Sequence, residues 1–340
     1  MSSFPIPVMP PFMPLAEHDF PITRRENLMR AFRHEKPMWM PMIYQDTQWV
    51  FPACFNDLPL DPTQDGEDWF GTKYKYEAAQ AGHTPIPGLF DSIDEWREKM
   101  IFPNLDNMDW GFIPGFERDE RFAAAGRLGN GNFERLHMSE GFEQALCDIL
   151  VEQEECKAFF DRLTEYKIDI MDHIIAKTPC DFQCHNDDWA TARSSFFSNE
   201  VFENTLLDSA VALADAVHAR GQGYMLHCCG KMEAFLPYIV NDIKADILEI
   251  QTINDLRMVL DTYGAKTSPI YTPDPYIMYN PATTGEQARE YARYIVDNFG
   301  AHTCEGAGCL IYLVGNKSES YYAFEDEIFN YSLKKYKDLQ

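Results

Sequence analysis

Basic residues are scarce in this chain of 340 residues: 29 Lys and Arg stand against 54 Asp and Glu, for a formal net charge of −25. Such an acidic surface repels phosphate backbones and anionic headgroups, which argues against nucleic acid and membrane surfaces as partners. No apolar run reaches the roughly 20 residues that a membrane-spanning helix needs. The opening MSSFPIPVMPPFMPL has neither a basic leader nor a continuous apolar segment, so it does not read as a secretory signal. The nine cysteines form no regular framework, which fits a reducing compartment and an expected cytoplasmic location. A glycine-rich phosphate loop and a serine elbow are both missing, and there is no low-complexity tract. What is present is globular in composition, with 45% hydrophobic and 24% charged residues.

Residues 1–21 are proline-rich and read as an extended arm lying on the body or on a neighbouring subunit, the one hint of a homodimer. Thr23-Arg24-Arg25-Glu26 is a capping box that starts a helix, and His34-Glu35-Lys36-Pro37 stops it. Residues 38–44 read as a strand. From Phe51 to about Arg118 the chain is dense in Pro, Gly, Asp and Trp, an ordered excursion with short helices. Beyond it, strands are expected at 134–138, 181–185, 223–227, 246–250, 267–272 and 310–314. Helices are expected at 141–149, 153–177, 198–220, 231–241, up to 260 and 284–298, with a last one closing the chain. Strands separated by helices imply βαβ units and a parallel sheet. With the strand at 38–44 and one hidden in the excursion, the count is about eight, that of a closed (β/α)8 TIM barrel forming one domain over 22–340.

The site of a parallel barrel lies beyond the carboxyl ends of its strands. The residues there are Tyr44, Gln45, His185, Asp187, Asp188, His227, Cys229, Glu249, Gln251, Tyr271, Asp274 and Asn316. His227-x-Cys229 puts an imidazole and a thiol two residues apart where a strand enters a loop, a spacing that can hold one tetrahedral Zn2+ with room for substrate. The same pair also reads as a core thiol beside a hydrogen-bonded histidine. Asp187 and Asp188 could hold a cation, orient a ligand or handle a proton, or could cap the helix that follows. Glu249 sits in an apolar strand, where a carboxylate needs a partner or a proton. Trp49, Phe51, Trp69 and Tyr74 are either pocket lining or core.

Three stretches taken together resemble the uroporphyrinogen decarboxylase superfamily. They are Arg25-Glu26-Asn27-Leu28 through Pro41-Met42, Asn186-Asp187-Asp188-Trp189 through Glu200, and Leu226 through Lys231 with Gln251 and Asn254-Asp255. The resemblance implies a (β/α)8 barrel, and one of two chemistries: decarboxylation of a tetrapyrrole, or methyl transfer involving corrinoids. Decarboxylases of the superfamily carry arginines after the first strand, where this chain has Tyr44-Gln45-Asp46. Its zinc methyltransferases carry His-x-Cys and a distant cysteine near the last strand. Here Cys304 and Cys309 precede the strand expected at 310–314, so that either the last strand sits in another register, or His185, Asp187 or Glu249 is the third ligand, or the site holds no metal.

The expected function is thus methyl transfer between a small methylated substrate, thiol or folate and the cobalt of a corrinoid, carried by a partner protein or as free cobalamin. In that scheme Asp187, Asp188 and Glu249 are the catalytic candidates. Tyr44, Gln45, His185, Gln251, Tyr271, Asp274 and Asn316 line the pocket. Rival expectations are uroporphyrinogen decarboxylase itself and a barrel that binds a corrinoid or tetrapyrrole without turnover.

Overall fold

The computed structural model describes residues 18–50, 52–61, 63–79, 82–111, 117–278, 280–313 and 318–339. Most of the proline-rich arm, Phe51, Val314 and Asn316 lie outside the described residues. The strands in chain order are β1 (Thr47–Val50), β2 (Gly66–Glu67), β3 (Lys73–Glu77), β4 (Gly82–Ile86), β5 (Ala123–Asn130), β6 (Phe182–Asn186), β7 (Gly223–Cys228), β8 (Ile247–Ile250), β9 (Ser268–Tyr271) and β10 (Leu310–Ile311). Seven of them form one sheet in the order β1-β5-β6-β7-β8-β9-β10, and every pair in it is parallel. Helices such as Gln153–Lys177, Leu207–Ala219 and Gly285–Phe299 cross between these strands.

The closed eight-stranded barrel is therefore corrected to a curled seven-stranded parallel sheet with a TIM-barrel-like course. The expected strand at 38–44 does not extend as a ladder, because the N–H groups of Gln45 and Asp46 both turn back to the Met42 carbonyl, at 3.1 and 2.9 Å. Only a bridge between Met42 and Ile311 links this run to β10. Among the described residues, the excursion holds no strand of the main sheet. It folds instead as the antiparallel β2-β3-β4, around a core that buries Trp69, Tyr74, Phe90 and Trp96.

The expected strand at 134–138 is part of the helix Asn132–Glu140. Its first N–H groups are held by the Asp187 carboxylate, a cap supplied from another strand that local sequence does not reveal. The missing strand lies just upstream, in Ala123-Ala124-Ala125-Gly126-Arg127-Leu128-Gly129-Asn130. Small residues are needed there: a Cβ on Gly126 would lie 2.1 Å from Gln183 Oε1. The expected helix at 198–220 is broken into Asn199–Thr205 and Leu207–Ala219, and that at 231–241 starts only at Leu236.

Alternation along the strands sorts side chains into two layers. Trp49, Ala123, Ala125, Phe182, Cys184, Met225, Ile247 and Ile270 pack together on the inner face, and Tyr224, Leu226, Cys228, Leu248 and Ile250 pack outward against the helices. Phe32, from the first helix Arg24–Phe32, seals the amino-terminal end of the lumen, its ring centroid 4.5 Å from that of Phe182. A Cβ on Gly223 would lie 2.3 Å from that Phe32 ring. Phe182→Ala should cost about 3–5 kcal/mol through the cavity it opens.

Candidate metal centre

The inward parity of β7 brings Met225 and then His227 to the mouth, and that of β8 brings Ile247 and then Glu249. His227 and Glu249 are register partners. His227 Nδ1 lies 3.2 Å from Glu249 Oε2, while Nε2 lies 3.4 Å from Cys229 Sγ and 3.9 Å from Asp188 Oδ1. One donor atom each from Asp188, His227 and Cys229 falls within 4.8 Å of the others. The Cys229 N–H donates to Asp188 Oδ1 at 2.6 Å, and Tyr44 Oη donates to Glu249 Oε1 at 3.4 Å. The Gly230 N–H donates to Gln251 Oε1 at 3.1 Å, which ties down the loop carrying Cys229. Gly230 adopts a φ of 89°, and a Cβ there would lie 2.3 Å from the Ala190 carbonyl oxygen, so the loop requires glycine.

Burial works against charge on the His227 imidazole, but the Glu249 carboxylate and the Cys229 sulfur outweigh it and hold the pKa well above the usual histidine value. A neutral, oriented imidazole with a carboxylate behind it is the arrangement by which proteins fix a metal-ligating histidine.

The structure separates the other expected site residues. Asp187 is 1% exposed and accepts three backbone N–H bonds, from Asn132, Phe133 and Glu134, at 3.0 to 3.2 Å. Burial raises its pKa to about 6 against the pull of those bonds. It caps a helix and does not join the donor cluster. His185 lies on the outer parity of β6 and pairs through Nδ1 with Tyr224 Oη at 2.9 Å, away from the mouth. Gln45 is fully buried and donates to the Leu313 carbonyl and to Tyr321 Oη. Tyr271 Oη meets Tyr291 Oη at 3.3 Å, and Asp274 turns back on its own loop to accept from the Tyr276 N–H. Of the pocket candidates in the described residues, Tyr44 and Gln251 remain beside the cluster. Trp49, Trp69 and Tyr74 are core.

Three residues that were not among the candidate site residues stand at the same mouth, Asn186 being read in the sequence only as part of a motif. Glu134, in the first turn of Asn132–Glu140, has its pKa pushed up to about 8 by burial and by the carboxylates of Asp188 and Asp187. Its Oε2 accepts from the Gly131 N–H at 3.1 Å, so only one oxygen is committed. Asn186 ends β6 and is the register partner of His227. Arg127 lies on the inner parity of β5, opposite Cys184. Reading 134–138 as a strand hid Glu134, and the weak strand signal of residues 123–130 hid Arg127. Cys304 and Cys309 lie at the opposite end, where the Lys36 ammonium binds the Cys304 carbonyl. Neither belongs to the donor cluster.

A sequence model of the uroporphyrinogen decarboxylase (URO-D) family matches residues 136–304, the stretch that includes Asp188, His227, Cys229 and Glu249. The chain belongs to the URO-D superfamily. A methyltransferase from Methanosarcina mazei is similar in fold, with a TM-score of 0.57 and 12% sequence identity over 90% of this chain and 98% of that one. A sugar phosphate isomerase/epimerase from Parabacteroides distasonis ATCC 8503 gives a TM-score of 0.32 and 10% identity over 60% of this chain and 81% of that one. No curated protein matches the chain in sequence. Among the described residues of this URO-D fold, no helix is long and apolar enough to cross a membrane.

Proposed function

We propose that the protein is a methyltransferase that moves a methyl group between a small methylated substrate, thiol or folate and the cobalt of a corrinoid, with Zn2+ held by His227, Cys229 and Asp188. The observation that carries this reading is the convergence of an imidazole, a thiol and a carboxylate on one point at the mouth, with Glu249 behind the imidazole. Tetrahedral zinc with bonds of about 2.0–2.3 Å places its donors about 3.3–3.8 Å apart. The 3.4 Å between His227 Nε2 and Cys229 Sγ falls in that range, and the 3.9 Å to Asp188 Oδ1 lies just beyond it, so the carboxylate closes in by a few tenths of an ångström on the ion. This replaces the third ligands considered from sequence by Asp188.

Zinc bound there would lower the pKa of an acceptor thiol or polarise the heteroatom that carries the methyl group. Glu249 holds the imidazole plane and draws its Nδ1–H, so that Nε2 faces the other two donors. The Cys229 N–H fixes the Asp188 carboxylate. Glu134 keeps one carboxyl oxygen available for a proton beside the reacting heteroatom, and a bound dication would draw its pKa back down. The corrinoid, as a corrinoid protein or as free cobalamin, would approach the same open end. The absence of arginine at Tyr44-Gln45-Asp46, with Gln45 and Asp46 spent on internal bonds, weighs against a polycarboxylate tetrapyrrole as substrate.

The test is elemental analysis of protein prepared without chelators, beside the double variant His227→Ala, Cys229→Ala. It is followed by the absorbance of cobalamin mixed with methyl donors, thiols and tetrahydrofolate. Near-stoichiometric zinc lost in the variant, with methyl transfer to or from the corrinoid, is the expected result. Absence of zinc overturns the metal assignment. Corrinoid binding without turnover overturns methyl transfer in favour of a binding protein.

A further inference from the structure

Nearly every charged side chain at the mouth has a partner. Glu249 holds His227 and Tyr44, Asp188 holds the Cys229 N–H, and Asp187 is consumed by a helix terminus. Arg127 is different. Ala123 and Ala125, two and four residues before it, belong to the inner cluster, so strand parity places Arg127 in the lumen. A second observation agrees: its charge acts on Tyr44 and Cys184, both of which pack at the inner face. It is half-buried, yet it enters no hydrogen bond or ion pair among the described residues. In a chain with 54 acidic and 29 basic residues, an arginine inside the fold with no acid on it runs against the composition. A planar guanidinium with free N–H groups is built for bidentate binding of a carboxylate, and partial desolvation strengthens the pair.

We propose that Arg127 anchors a carboxylate carried by the substrate, so that the molecule acted on at this mouth is a small monocarboxylate and not a neutral methyl donor or a polycarboxylate. The inference rests on reading the mouth as the reacting site. Register supports the length. Arg127 pairs with Cys184, two residues below Asn186, whose partner is His227, so the Arg127 backbone lies about 7 Å down the lumen from the level of His227. A carboxylate held there presents the other end of a compact molecule to His227, Cys229 and Asp188. Tyr44 and Tyr312, with ring centroids 4.7 Å apart, supply an apolar wall. One guanidinium suits one carboxylate.

The experiment is calorimetric titration of the whole protein with benzoate and with benzamide, which share shape and differ in charge. The parent, Arg127→Gln, Arg127→Lys and the His227→Ala, Cys229→Ala variant are compared at one pH and ionic strength. Among the described residues Arg127 makes no bond that its loss would break, so the melting temperature of Arg127→Gln should match the parent. The expected result is benzoate binding weakened about 10–100-fold in Arg127→Gln, with part of the loss restored in Arg127→Lys and no comparable binding of benzamide. Equal binding by the parent and Arg127→Gln overturns the proposal, as does equal binding of acid and amide. Failure of benzoate to bind the parent overturns it too. Binding lost only in the His227→Ala, Cys229→Ala variant assigns the carboxylate to the donor cluster and overturns the role of Arg127. Arg127-dependent binding in a protein that holds no zinc would leave this inference standing while the metal reading falls.

Discussion

The two ends of the sheet are made from the same residue types and use them in opposite ways. At the amino-terminal end, Asp181 takes Arg25 at 2.7 Å and Arg118 at 3.6 Å, and Asp246 takes His218 at 3.0 Å and His34 at 3.4 Å. Phe32 seals the lumen beside them, and Cys309 is buried at 0% exposure. At the carboxyl-terminal end, Asp188, His227 and Cys229 aim three donors at one another, and Arg127 has no acidic partner among the described residues. The contrast teaches that composition does not distinguish a site from a joint. Histidine beside aspartate is a closed pair at the sealed end, whereas at the mouth it joins a thiol in one donor cluster.

The largest expected effect comes from removing the open cluster. The His227→Ala, Cys229→Ala protein should retain less than about a tenth of the parent's zinc, and its transfer rate should fall by about 100-fold or more, read by elemental analysis and turnover. Its melting temperature should stay near that of the parent, since these side chains bond mainly to each other. A large loss of stability would make the mouth a structural joint like the other end. Glu249→Gln comes next. The imidazole would lose its carboxylate while keeping its place, and zinc affinity should fall about 10–100-fold, measured by competition with a chromogenic chelator. In every form with the ligands intact, zinc affinity should rise with pH, because the proton on His227 must leave before Nε2 can ligate.

A smaller effect separates two adjacent residues. Asp187→Ala should lower stability by about 2 kcal/mol through loss of its helix cap while leaving zinc content near that of the parent. Asp188→Ala should do the reverse. Thermal melts and metal analysis on the same samples would decide, and parallel behaviour of the two would erase the distinction between cap and ligand.

The smallest effect lies at the sealed end. The Asp246 carboxylate raises the folded-state pKa of His218 above 6.5, and His218 and His34 hold that of Asp246 down despite its burial. The raised histidine contributes stability that is full below about 6.5 and is lost as pH rises through its folded value. The lowered carboxylate contributes stability present above its unfolded value and lost as pH falls through the folded one. His218→Gln should therefore destabilise most near pH 6 and least near pH 9, as seen in melts across that range. A gap that widens with pH would contradict the pairing.

The half of the fold from Asp181 onward was legible because each strand is a short apolar run bounded by a helix start or stop, as in Gly223–Cys228 after Gly221. The half before it was not. The strand Ala123–Asn130 is rich in alanine and glycine, with Gly126 packed too tightly on Gln183 and Gly129 on Asp57 to carry a side chain, which erases the β signal. The helix Asn132–Glu140 is capped by Asp187, 53 to 55 residues away from the N–H groups it holds, so period-2 apolarity in 134–138 was misleading. At the site, His227, Cys229, Asp188 and Glu249 could be read from their positions at strand ends. The roles of Asp187 and Asp188 could not, because direction at a strand end depends on the tertiary fold. Arg127 was invisible for the same reason as its strand.

X-ray absorption at the zinc edge of the protein as purified tests the central claim most directly. One sulfur at about 2.3 Å with nitrogen and oxygen at about 2.0–2.1 Å is the expected shell, and the sulfur should vanish in Cys229→Ser. No zinc, a shell without sulfur, or two sulfurs would contradict a site built from His227, Cys229 and Asp188.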